Sequence, residues 1–146
     1  MEITTSRFGP LEIDPGDMLH FPAGLLGLED CRQWALLADR RNEAVAWLQS
    51  VERPEVALPV VSPRRFVPGY QVRIARRELT GLGLDDIKAA KVLSILGKTG
   101  PTITLDLKAP LMINLARSLG RQVVTNGDLP VRFELGSDHP TLRRSA

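Results

Sequence analysis

The sequence predicts an all-β, mainly antiparallel fold: a small β-barrel-like single domain with one short helix. Three observations carry that expectation. Short segments with an apolar–polar period of two recur along the chain, about ten of them at roughly 8–12-residue spacing, as in sandwiches and barrels. Clusters of Pro, Gly, Asp and Asn punctuate them. The third observation is the stretch from Pro101 to Val124. There Ile103, Leu105 and Leu107 alternate with Thr104, Asp106 and Lys108, and Pro110 stands before a second apolar segment, Leu111 to Leu115. Proline cannot donate to a ladder, so it ends the strand or bends it across a corner. A loop carrying Gly120 and a strand from Gln122 to Thr125 follow, giving the curved sheet that closes a small barrel.

The elements read in order as follows. Glu2 to Thr5 and Leu11 to Ile13 flank the turn Arg7-Phe8-Gly9-Pro10, an opening hairpin. Asp14-Pro15-Gly16-Asp17 is a second turn, and Met18 to Phe21 a short strand. Pro22 to Leu28 holds Gly24 and Gly27 among apolar residues. Without a following Lys-Ser/Thr or helix it is a buried, glycine-permitted loop rather than a phosphate cradle. Gln33 to Leu37 and Glu43 to Val51 are strands joined by the polar turn Asp39-Arg40-Arg41-Asn42; in the second, Val45, Trp47 and Gln49 share one face, Ala46 and Leu48 the other. Glu55 to Val61 is apolar on both faces and reads as central, although Pro59 argues for an edge or a bulge. Tyr70, Val72 and Ile74 alternate as a further strand. Thr80 to Ala90 is the helix candidate, of one or two turns, with Asp85 and Asp86 early and Lys88 late, as the helix dipole prefers. Lys91 to Leu96 and Val131 to Leu135 complete the strands. Gly136 to Ala146 is poor in apolar residues and reads as a flexible C-terminal tail.

At 146 residues the chain fits one domain with a sizeable core, and its 43% apolar and 25% charged content are ordinary for a globular protein. No apolar run approaches a membrane span, and Met-Glu-Ile-Thr-Thr is not a leader sequence. The single cysteine, Cys31, allows no internal disulfide. A cytoplasmic protein is expected. The net charge of +2 conceals an asymmetry: residues 1–60 hold ten acidic and five basic side chains, residues 61–146 seven and fourteen. A mixed solvated surface and a bipolar one fit this equally.

Catalysis needs groups that converge, and the sequence offers few. His20 and His139 are its only histidines, and with one cysteine they supply no zinc set. Cys31 reads as a small buried hydrophobe, and Asp85-Asp86 as helix-dipole partners. No nucleophile elbow or Walker sequence is present. No enzyme, cofactor or metal site is expected. Arg64, Arg65, Arg73, Arg76 and Arg77, with Phe66 and Tyr70 between them, are the pattern of a single-strand RNA binder. Tyr70, however, is in phase with Val72 and Ile74 and so belongs to the core.

Three segments, in this order and spacing, resemble the FliW family of bacterial flagellar assembly factors. They are Phe21-Pro22-Ala23-Gly24-Leu25-Leu26-Gly27-Leu28-Glu29-Asp30; Leu48-Gln49-Ser50-Val51-Glu52-Arg53-Pro54-Glu55-Val56-Ala57, ending at Ser62-Pro63; and Leu107 to Asn114 with Arg121-Gln122-Val123-Val124. Asp106 and Pro59 depart from the family pattern. The resemblance implies a β-barrel domain over residues 1–135, without enzymatic activity, that binds flagellin and the RNA-binding regulator CsrA. Holding CsrA keeps it from repressing translation of the flagellin messenger, and free flagellin competes for the same protein. The candidate contact residues are Gln49, Ser50, Glu52, Glu55 and Asn114; they read equally as a strand end and loop, with Asn114 satisfying backbone groups beside the proline corner. A monomer without membrane or direct nucleic-acid binding is expected. The alternative is a small β-barrel RNA-binding module using the Arg64–Arg77 cluster.

Overall fold

The computed structural model describes residues 1–136; the expected tail from Gly136 and His139 otherwise lie outside the described residues. Strands β1 (Glu2–Thr5) and β2 (Gly9–Glu12) form the opening hairpin as a sheet of their own. The remaining strands are β3 (Met18–His20), β4 (Gln33–Ala38), β5 (Val45–Ser50), β6 (Ala57–Val61), β7 (Lys91–Thr99), β8 (Thr102–Leu105), β9 (Leu111–Asn114), β10 (Leu119–Gln122) and β11 (Phe133–Gly136). They make one sheet, and it closes. β3 to β7 pair in succession, β7 also pairs β9, β9 pairs β10, and β10 returns to β3 through the parallel contact Leu119↔His20. The ring is therefore a barrel, as the proline corner predicts.

The nine-residue strand β7 makes this possible. One edge carries β6, at Ser94 and Ile95; the other carries β9 at Lys91–Leu93 and then β8 at Leu96–Thr99. β8 and β11 thus extend the sheet outward from the barrel wall. β9 is buried at all four positions. Its Leu111 and Ile113 enter the barrel core with Leu19, Phe21, Trp34, Leu48 and Val60. Its Met112 faces a second core with Val61, Tyr70, Val72, Leu82, Leu105 and Leu107.

Four expectations are corrected. The helix is α1, Arg76–Gly81, not Thr80–Ala90. Gly83, at φ 72°, ends it: Leu82, Gly83 and Leu84 turn their N–H groups back to Leu79 and Thr80 carbonyls. Asp86 instead caps a single 3-10 turn, its Oδ1 accepting from Lys88 N–H at 2.9 Å. Gly120 lies inside β10, and the turn before it is Leu115–Arg117, closed by Ser118 at φ 52°. A Cβ at Gly120 would lie 2.3–2.7 Å from the edge of the Phe21 ring, so the glycine lets β10 pass over that ring. Tyr70 to Ile74 joins no ladder, although Tyr70 and Val72 are buried as their alternation predicts. Pro59 sits in a central strand opposite Trp47. Ser50 N–H bonds the Val56 carbonyl, and by antiparallel alternation Leu58 and Val60 serve β5 while Pro59 turns the other way. On that side pairing to β7 begins only at Val60, so the missing N–H interrupts nothing.

Candidate functional site

Four of the five candidate contact residues come together at one rim of the barrel. There the loop from Val51 to Val56 packs beside the loop from Pro22 to Arg32. Gln49 is fully buried, and its Nε2 reaches the carbonyls of Ser50, Pro54 and Val56 at 3.0–3.2 Å. Ser50 is buried too, its Oγ accepting from Arg53 N–H at 3.0 Å. These two side chains build the loop from beneath. Burying an amide is tolerable where it replaces lost backbone partners, as here.

Glu52 is exposed, but its carboxylate has internal work. It accepts from the N–H groups of Arg32 and Gln33 at 3.1 Å, clamping the loop to the start of β4. Glu55 is exposed and pairs with Arg53 at 3.2 Å, while Arg53 lies 3.8 Å from Asp30. Glu55 first, and Asp30 next, push the Arg53 guanidinium further up from its ordinary value. With Glu29, these loops carry four carboxylates beside Arg53 and the exposed Arg32.

Leu26, at the tip of the loop from Pro22 to Arg32, is 65% exposed and shares a groove with Lys98, Gln122 and Arg132. Gly24 and Gly27 place it there: both have positive φ, and a Cβ on Gly24 would lie 2.6 Å from Glu29 Cα. The turn is closed by reciprocal Leu25–Leu28 backbone bonds and by Gln122 Oε1, which accepts from Leu26 N–H at 2.8 Å. Leu25 drops into the core as Leu26 is lifted out. The glycine loop is therefore buried only in part. Its alternation of an inner and an outer leucine was the available signal for Leu26.

Asn114 belongs elsewhere. It is 6% exposed and faces the second core, where Nδ2 donates to the Leu82 carbonyl at 2.8 Å. Its role is to hold the end of α1, as its backbone-satisfying reading predicts. Asp106 acts similarly at the proline corner, its Oδ1 accepting from Lys108 and Ala109 N–H groups.

The two aromatic residues within the arginine cluster both pack toward the second core. Tyr70 is buried and its hydroxyl donates to the Leu107 carbonyl at 2.7 Å; burial pushes its pKa up to about 12, with Asp106 adding to the rise and Arg64 opposing it. Phe66 packs against the second core. Cys31 is buried, His20 shares a hydrogen with Gln33 Nε2, and no group of three metal-ligating side chains occurs among the described residues. No helix of the described residues is long and apolar enough to cross a membrane.

A closed, mainly antiparallel barrel with a filled interior defines a small scaffold of the kind that presents loops to other molecules. The chain belongs to the FliW family: the family model for FliW protein matches residues 2–135. A flagellar assembly factor FliW from Bdellovibrio bacteriovorus is 39% identical over 135 residues, covering 90% of this chain and 77% of that protein. One from Natranaerobius thermophilus is 31% identical over 150 residues, covering 100% and 99%. A crystal structure of the flagellar assembly factor FliW superposes with a TM-score of 0.81 at 25% identity, covering 94% of this chain and 96% of that one.

Proposed function

We propose that this protein is a cytoplasmic flagellar assembly factor acting by mutually exclusive protein–protein binding, holding the regulator CsrA until flagellin displaces it. Its membership of the FliW family supports the role in flagellar assembly. The observation that carries the partner reading is the rim itself, where Glu29, Asp30, Glu52 and Glu55 lie on two adjoining loops beside Arg32 and Arg53. Two adjoining acidic loops suit a basic RNA-binding regulator. Charge would steer the encounter, and Leu26 at the tip of the first loop would add desolvated contact. In this reading Glu55 and Asp30 meet the partner, Glu52 holds the loop and in part meets it, and Gln49 and Ser50 shape the loop from below. Asn114 contributes only through the fold.

Biolayer interferometry with purified CsrA and flagellin from the same organism tests the switch. Each partner alone binds, and flagellin releases captured CsrA. Absence of binding of either partner at roughly tens of micromolar, or a stable ternary complex, defeats the mechanism. The RNA-binding alternative gains no aromatic surface from Tyr70 or Phe66. Salt-sensitive binding of single-stranded RNA abolished by Arg73→Ala/Arg76→Ala would restore it.

A further inference from the structure

A second surface lies on the outer wall of the barrel, between the tip of the β1–β2 hairpin and the turn joining β4 to β5. Register places Leu37, Trp47 and Pro59 in one cross-strand row, and the hairpin lays Phe8 and Leu11 beside it, leaving a groove of about 710 Å³. Trp47 is only half-buried, yet it is fixed on three sides. Its Nε1–H donates to Asp39 Oδ1 at 3.0 Å, Phe8 meets it edge-on at 5.8 Å, and the Arg7 guanidinium lies 4.0 Å from its ring centre. A large aromatic held rigidly on the outside of a barrel does not serve the interior.

The charge of the groove is one-sided. Arg7, Arg40 and Arg41 line it, and among the described residues Asp39 is its one carboxylate. That carboxylate is engaged internally, by the Trp47 indole and by the N–H groups of Arg41 and Asn42. Arg7 and Arg40 enter no ion pair among the described residues. A guanidinium stacked on an indole is held flat, with its N–H edge still free to grip a carboxylate through two bonds.

We propose that this groove docks a partner segment in which carboxylates flank an apolar or aromatic side chain. The side chain would rest on Phe8, Leu11, Leu37 and Trp47, with the carboxylates on Arg7 and Arg40. Peptide is favoured over nucleic acid because Arg7 already covers a face of Trp47 and Phe8 stands edge-on to it. Base stacking needs an open aromatic face, and the remaining floor is aliphatic. The surface is opposite in charge to the acidic rim and calls for a different partner chemistry, so its test uses neither CsrA nor flagellin.

The chain has two tryptophans, which gives a site-specific readout. Trp34 is buried, its indole N–H bonded to the Cys31 carbonyl, and serves as the internal control. The ¹⁵N-labelled protein is titrated with the capped peptide Glu-Asp-Phe-Asp-Leu-Glu and with its Gln/Asn counterpart. The expected result is a saturable shift of the Trp47 indole resonance with the Trp34 resonance unmoved, and binding roughly tenfold or more weaker for the amide peptide and for Arg40→Glu. Arg40 is exposed in the turn, so an unchanged Trp34 resonance verifies that the variant is folded. No saturable shift, equal binding of the two peptides, full binding by Arg40→Glu, shifts confined to another face, or displacement of the peptide by oligouridylate would each overturn the proposal.

Discussion

The two cores on either side of β9 are closed by different means. The barrel core is enclosed by ladders, each strand satisfying its neighbour's backbone from β3 round to β10. The second core is covered largely by irregular chain, from Phe66 to Ala90 and from Val123 to Leu129. That chain has no ladder to join, so side chains take the place of one. The Thr125 hydroxyl accepts from Arg73 N–H at 2.7 Å and donates to the Arg73 carbonyl at 3.2 Å. Tyr70 reaches the Leu107 carbonyl, Asn114 the Leu82 carbonyl, and Lys108 Nζ the carbonyls of Thr125 and Gly127. Buried backbone groups must be paired by something. A sheet does this by repetition, whereas a coil needs a particular residue at each point.

The contrast concerns polar groups and not apolar packing, so large aliphatic truncations should not distinguish the cores. Ile113→Ala in the barrel core and Leu105→Ala in the second should each cost about 2–5 kcal/mol, measured by denaturant midpoints. A negligible loss in either would mean that its core is not closed.

Removal of one polar pin should separate them. Asn114→Ala leaves the Leu82 carbonyl buried without its partner, at a cost of about 1–3 kcal/mol. The expected signature is local: native-state hydrogen exchange rises around α1 and the following turn while the β4–β5 ladder keeps its protection. Equal loss across the ladder would show the two cores to be one cooperative unit.

The pH dependence sharpens the same point. Tyr70 is the only tyrosine, so its ionisation can be followed directly by ultraviolet absorbance. Its folded pKa, about 12, lies above the unfolded value of about 10. The stability this group contributes is therefore complete below about pH 10 and lost as pH rises through about 12. The native midpoint should fall towards about 10 in denaturant. A native midpoint already near 10 would place the phenol in water and remove that pin.

The smallest effect on stability is expected at the rim. Glu55→Lys touches an exposed pair and should change stability by less than about 0.5 kcal/mol, while slowing association with CsrA and weakening its salt dependence. Glu52→Lys differs, because it also unclamps the loop from β4. Equal behaviour of the two variants would show that the Glu52 clamp contributes nothing.

Much of the fold was legible because period-two patterning records which side of a sheet each residue faces. The hairpin, β3 to β7 and the proline corner followed from that alone. The same rule located Tyr70 and Val72 in the core but overreached in making them a strand. Burial alternates in any extended chain, whereas a ladder also needs a neighbour, and here Thr125 stands in for one. The helix was misplaced because the acids at 85–86 suit a 3-10 cap as well as a helix start; only Gly83 in its positive-φ conformation settles where the helix ends. At the rim, Glu52 and Glu55 were legible as an acidic loop. Asp30 joins them only through packing, by way of Arg53.

The sequence by itself determined the β class, the strand phases, the corner at Pro110 and the family. These rest on local sterics and on which side chains avoid water, both written residue by residue. Tertiary structure alone decided that β7 carries β6 on one edge and both β9 and β8 on the other, and that Gly120 must yield to the Phe21 ring. It also decided that Gln49 and Asn114, alike in chemistry, serve different loops, one the turn after β5 and the other the end of α1. The physical reason is common to all three. A polar side chain's role depends on which orphaned backbone group lies within hydrogen-bond reach, and a glycine's on which ring crosses its path, and distant segments supply both only once the barrel has closed.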